Sequence, residues 1–174
     1  MKKHLYLILL TFFFLLIGCE SKEEPIEFEE YTGRDLNIGV VGDAPDVIEE
    51  QINFLTIDLG DLLITEGIEN LDAIFIMQDY LIRASEAEYA DVYKSSGIPF
   101  FFIESDRSYL PFVMEDFTYD NSFTVGEESF ATGVYYTEDG EMTTWSFGLY
   151  NHEKNEKNIK EVYSRIFKKI NEVK

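Results

Sequence analysis

After position 35 the chain breaks into short runs of consecutive apolar residues separated by polar punctuation. Leu36-Asn37-Ile38-Gly39-Val40-Val41, closed by Gly42, reads as a strand buried on both faces, and so do Leu71 to Met77 and Ile98 to Ile103. Leu55 to Leu59 is expected as a further strand. Between the first two runs, Pro45 suits a first helical position, and Asp46, Glu49 and Glu50 favour the positive end of a helix reaching about Phe54. From Ser85 to Gly97 the signals are those of a single helix. Ser85 with Glu88 makes a capping box, and Gly97 is a terminator. Strand, helix and strand with short joints form a parallel βαβ unit.

Beyond position 130 the pattern changes. Ala131 to Glu138 and Glu141 to Tyr150 are aromatic and β-branched, and Asp139-Gly140 between them is a strong hairpin signal. From about Glu153 to Val173, residues Ile159, Val162, Tyr163, Ile166, Phe167 and Ile170 fall on one face at helical spacing. The expected fold is a small three-layer α/β domain with a mostly parallel sheet, resembling half of a flavodoxin-like or binding-protein lobe. An antiparallel C-terminal hairpin extends its edge and a last helix closes it.

The first nineteen residues follow another logic. A cationic Met1-Lys2-Lys3-His4 precedes an apolar run from Leu5 to Ile17, the layout of an export signal that is too short to span a bilayer as a mature helix. Leu16-Ile17-Gly18-Cys19 resembles the lipobox of bacterial lipoproteins. That resemblance implies a signal peptide over residues 1–18 and lipidation of Cys19. The protein would then be lipid-anchored to the cell membrane on its extracytoplasmic face, since paired acyl chains hold a protein there stably. The acidic, aperiodic stretch over residues 19–34 is expected to be a tether, and 35–174 a single domain.

Charge narrows the function classes. The chain carries 14 basic and 34 acidic residues, and loss of Lys2 and Lys3 with the signal would leave a formal charge of −22. Such a surface repels nucleic acid and anionic headgroups and suits a cationic ligand or a basic protein partner. Cys19 is the only cysteine, and His152 is the only histidine after the signal, which removes most thiol, imidazole and transition-metal chemistry.

Ligands of open parallel sheets bind beyond the carboxyl ends of the strands, near the point where strand order reverses. The expected strand ends carry Asp43, then Gln78 and Asp79, then Glu104, Ser105 and Asp106. Asp43, Asp79, Glu104 and Asp106 are the candidate ligand-binding acids, and Ca or Mg is a possible occupant because hard cations prefer carboxylate oxygens. The same acids also suit the first turns of the helices that follow. Gly39 and Gly42 do not make a phosphate loop, since no G-x-G-x-x-G and no P-loop lysine are present.

The stretch from Ser105 to Ser129 lacks a clear element and sets Tyr109, Phe112, Phe117, Tyr119 and Phe123 among acids. Aromatic rings amid carboxylates suit a cationic ligand, and Tyr109 joins the candidate residues. Trp145 is expected to pack within the hairpin. A hydrolase would need Ser105 or Ser108 beside a base, or two carboxylates across a cleft.

The block Leu71 to Ser105 is similar to a lobe segment of siderophore-type and metal-type solute-binding lipoproteins of transporters, although those close two lobes on a solute. Small lipoproteins of the kind common in Gram-positive bacteria are the nearer resemblance. The leading expectation is a non-enzymatic ligand- or partner-binding domain. A single-lobe solute- or cation-binding component and a hydrolase are the alternatives.

Overall fold

The computed structural model of the protein describes residues 28–64, 67–126 and 129–173. The signal, the lipobox and Cys19 lie outside the described residues. Six strands form one sheet: β1 (Leu36–Val41), β2 (Ile52–Thr56), β3 (Ala73–Ile76), β4 (Phe100–Ile103), β5 (Ala131–Tyr136) and β6 (Met142–Phe147). Their order is β2-β1-β3-β4-β5-β6. β1 pairs in parallel with β2 and β3, and β3 with β4, whereas β4–β5 and β5–β6 are antiparallel. β3 and β4 are buried at every position and β1 at all but Asn37, which is why they read as uncharged runs.

Alternate side chains feed opposite layers. On one face Ile74, Ile76, Phe100 and Phe102 meet a patchwork: a 3-10 turn at Leu59–Leu63, then the helices α1 (Leu81–Ala84), α2 (Ala87–Ser95) and α3 (Leu110–Val113). On the other face Ile38, Val40, Phe75 and Phe101 pack under one long helix, α4 (Glu156–Val173). Phe75 is central there, its ring centroid 6.0 Å from Tyr163, 6.2 Å from Phe167 and 5.7 Å from Phe101. Burial of each such side chain contributes roughly 1.5–3 kcal/mol. The five residues Val162, Tyr163, Ile166, Phe167 and Ile170 are buried as their spacing predicts, and Asn155 caps α4 by accepting the Asn158 N–H at 2.9 Å.

Three expectations change. No helix follows Pro45; the chain instead runs as coil to β2, which lies three residues earlier than the expected strand. The reason is Glu49, whose buried carboxylate accepts the Tyr31 N–H at 3.4 Å, the Ile48 N–H at 3.2 Å and the Ser164 hydroxyl of α4. Second, Ser85 does not cap α2. It is buried, donates to the Ile82 carbonyl at 2.7 Å and accepts the Tyr119 N–H at 2.9 Å, so its hydroxyl ties the segment after β4 to the helical layer. Third, residues 28–34, expected within the tether, lie against the body. Tyr31 is buried against Phe167, and its hydroxyl donates to the Arg34 carbonyl at 2.8 Å.

The hairpin forms as predicted, with Gly140 at φ +80° in the turn and Thr137 N–H donating to the Glu141 carbonyl at 3.0 Å. β6 is the outer edge of the sheet, mostly exposed, and carries no charged side chain.

Candidate functional site at the carboxyl edge

From β1 the chain steps outward to β2 and returns on the other side as β3, so strand order reverses between β1 and β3. The expected crevice opens there. A cleft of about 260 Å³ is lined by Gly42 and Asp43 after β1, by Gln78, Asp79 and Tyr80 after β3, and by Glu104 after β4. Three acids placed at separate strand ends by the sequence are thus brought to one cleft.

Backbone geometry holds the rim. Gly42 sits at φ +112°, and a Cβ there would lie 3.0 Å from Met77 Cβ and 3.2 Å from the Tyr80 ring, so only glycine lets the two strand ends approach. Met77 N–H donates to the Val41 carbonyl at 3.1 Å, joining those ends directly. Glu104 is a non-glycine residue at φ +57°, a conformation that surrounding structure must impose. Its carboxylate accepts the Lys154 ammonium at 2.5 Å, just before α4. Asn151 and His152, at φ +51° and +57°, make the bend that delivers Lys154. Below, burial pushes the Tyr163 phenol well up, and the charge of Glu104 adds to that shift.

Electrostatically the cleft is unequal. Glu104 has its counter-charge in Lys154, while Asp43 and Asp79 are exposed. Among the described residues no group of three or more His, Cys, Asp or Glu is positioned to hold a metal ion. The arrangement presents two carboxylates, an amide and the Tyr80 ring to a ligand. Tyr80 and Lys154 are the residues that sequence reasoning missed. Tyr80 stands beside Asp79, but Lys154 reaches Glu104 across 50 positions and no local signal announces it.

Asp106 and Tyr109 belong elsewhere. Asp106 accepts the Tyr119 hydroxyl at 2.8 Å and pairs with Arg107 at 3.6 Å. Burial raises the Tyr119 phenol, keeping it a neutral donor. Arg107 in turn donates to the Tyr119 carbonyl at 3.0 Å and to Thr124, closing the long stretch as a loop with an isolated bridge from Arg107 to Thr124. Within that loop Phe112 stacks on Phe102 and Tyr119 packs behind it, so these rings seal the core, whereas Phe123 is 78 % exposed. Tyr109 faces the hairpin rather than the acids. Trp145 stacks on Phe101 at 5.6 Å, as hairpin packing predicts.

The serines are committed to local structure. Ser105 is fully buried; its hydroxyl donates to the Arg107 carbonyl at 3.0 Å and accepts the Arg107 N–H at 3.1 Å. The Ser108 hydroxyl accepts the Leu110 N–H at 3.4 Å. Among the described residues neither is hydrogen-bonded to a carboxylate or to His152, and no helix is long and apolar enough to cross a membrane. Comparison of the chain with protein-family models, with curated proteins and with solved structures finds no match.

Proposed function

We propose that the protein is a non-enzymatic binding domain, lipid-anchored through Cys19 on the extracytoplasmic face of the cell membrane, that takes a small organic cation in the cleft between β1 and β3. The observation that carries this reading is the convergence of Asp43, Asp79 and Tyr80 on one cleft at the reversal of strand order. Carboxylates at either side of an aromatic face attract an ammonium group by charge and by cation–π contact, worth about 0.5–2 kcal/mol for the ring alone. Among the described residues no three-ligand cluster forms, which favours a polyamine-like ligand over bare Ca or Mg, which require several oxygens at short range.

A solute-binding role in transport remains the second reading, because the same cleft unites all three strand-end acids. The lipobox supports the anchor. Thermal unfolding of the chain from residue 20 onward tests the ligand. Spermidine should raise the melting temperature, and Asp43→Asn or Asp79→Asn should abolish that rise without changing the unliganded value. Equal stabilisation by Ca or Mg would move the reading to a metal; no shift with any cation, in the wild-type chain, would leave a protein partner as the occupant.

A further inference from the structure

The charge of the chain is spread unequally across its sheet. Between Glu153 and Val173 six basic residues stand among four acids, whereas the other described residues hold four basic residues and twenty-three acids. The cations on this side have acidic partners: Lys154 pairs with Glu104, Lys160 with Asp46 and Glu156, Arg165 with Glu161, and Lys168 with Glu29. The α4 layer is therefore close to neutral. The opposite layer exposes Asp58, Asp61, Glu86, Glu88 and Asp91, so the excess acid lies away from α4.

Along the flank of α4 that faces β6 runs a groove of about 510 Å³, with Arg165, Lys168 and Lys169 on the helix side and Trp145 and Phe147 on the strand side. Trp145 is only partly buried there, against Phe101. Basic side chains beside aromatic rings are the composition that settles in the headgroup region of a bilayer.

The chain also enters the body across this helix. The Phe28 ring lies 5.5 Å from the Lys157 ammonium, and the Glu29 carbonyl accepts the Lys168 ammonium at 2.9 Å. Cys19 stands nine positions before Phe28, a reach of at most about 32 Å. A body of this size is roughly 35–40 Å across, so nine residues starting on α4 are too few to pass around it.

We propose that α4 and the groove beside Trp145 form the face that docks on the anionic headgroups of the membrane, given the lipid anchor at Cys19 proposed above. The net charge of the whole chain repels such a surface, and that repulsion turns the acidic layer outward. At about 0.15 M salt the field reaches only about 8 Å, so the layer nearest the lipid decides the interaction. The ammonium groups of that layer exchange carboxylate partners for lipid phosphates. The acidic cleft between β1 and β3 then stays open to solvent and to its ligand.

Cys19 is the only cysteine and Trp145 the only tryptophan, which supplies both a handle and a probe. The purified chain from Cys19 to Lys174 is coupled through its thiol to a maleimide lipid in phosphatidylcholine vesicles, with phosphatidylglycerol or without it. Lysine acylation is then mapped by mass spectrometry, and Trp145 quenching by a headgroup-labelled lipid is recorded. With phosphatidylglycerol, Lys157, Lys160, Lys168 and Lys169 should be protected relative to Lys94 on α2, and Trp145 should be quenched. Concentrated salt should abolish both effects. Lys168→Gln/Lys169→Gln should cut the protection of Lys157 and Lys160 about threefold or more. The wild-type footprint stands without that variant, so its misfolding would not decide the matter. Reactivity of the α4 lysines equal to that of Lys94, with Trp145 unquenched, overturns the proposal. Protection that is the same without phosphatidylglycerol overturns it too, since the tether alone would then hold the face down. The mass of Cys19 in protein taken from cell membranes tests the anchor separately: an unmodified thiol overturns both readings, whereas a lipidated Cys19 with an unprotected α4 overturns the docking face alone.

Discussion

The two clefts stand on the same sheet, yet they are built from opposite materials. The cleft between β1 and β3 is made of loop residues at strand ends, rimmed by backbone in unusual conformations and furnished with carboxylates. A second cleft, between the loop after β4 and the β5–β6 hairpin, sets strand side chains whose positions the pleat fixes, Thr132, Thr144 and Ser146, against that loop, and it is furnished with hydroxyls. Parallel strands put their variable chemistry at their ends because both their faces are buried. An antiparallel hairpin at the sheet edge leaves one face open along its length, so its chemistry can lie on the strand itself. One small fold therefore offers two kinds of platform.

The strongest way to break this contrast is to fill the glycine beneath each cleft. A Cβ on Gly133 would lie 2.8 Å from the Phe101 ring and 2.9 Å from Trp145. Gly133→Ala should therefore cost about 1–3 kcal/mol in denaturant unfolding and shift the Trp145 emission. Gly42→Ala should cost about 1–2 kcal/mol through its φ of +112° and leave that emission alone. An unchanged emission in the first variant would contradict the packing described for the hairpin.

Alkali separates the frames next. The folded Tyr163 phenol is held above its ordinary value of 10.0 by burial first and by Glu104 second. The unfolded phenol ionises first as pH rises, so the contribution is intact below pH 10 and is lost above it. That loss is at most about 1.4 kcal/mol per pH unit for this group. Tyr163→Phe should flatten the alkaline decline while changing stability at neutral pH by less than about 1 kcal/mol. An identical alkaline profile in the variant would assign the decline to other tyrosines.

The smallest effect on stability concerns Lys154. Its bridge to Glu104 is substantially exposed, so Lys154→Ala should cost only about 0.2–1 kcal/mol. It should nonetheless tighten spermidine binding, because Glu104 then joins Asp43 and Asp79 as uncompensated charge. Weaker spermidine binding in this variant would mean that Lys154 contacts the ligand or holds the rim in place.

How much of this was legible in the sequence depended on whether the governing contact was local. β1, β3 and β4 announced themselves because burial on both faces demands consecutive apolar residues, and α4 did so through its stripe. The coil from Gly42 to Gln51 misled because Pro45 and the acids after it are also what a helix start requires. The deciding contact, Glu49 with Ser164, spans 115 positions. Ser85 misled for the same reason: its partner Tyr119 is 34 residues away. Of the candidate site residues, Asp43, Asp79 and Glu104 were placed together by topology alone, since each follows a parallel strand. Asp106 and Tyr109 sit one turn further along a loop whose path is set by Arg107 and Tyr119, and no rule of strand ends reaches them. The hydroxyls of the hairpin cleft left no trace because threonine and serine in strands are ordinary residues for an exposed pleat.

The uncharged outer edge of β6 bears on how the protein behaves as a colloid. Met142 to Phe147 offers unpaired backbone groups and no side-chain charge of its own to discourage another strand. Its guard is collective: a chain of net charge −20 repels its copies before their edges meet. That guard has a range set by salt. At about 0.15 M the screening length is about 8 Å, and at 1 M it is about 3 Å, shorter than the spacing between paired strands. Self-association should therefore be governed by ionic strength more than by temperature, and concentrated salt, usually a gentle precipitant for acidic proteins, is the condition under which this edge is least protected.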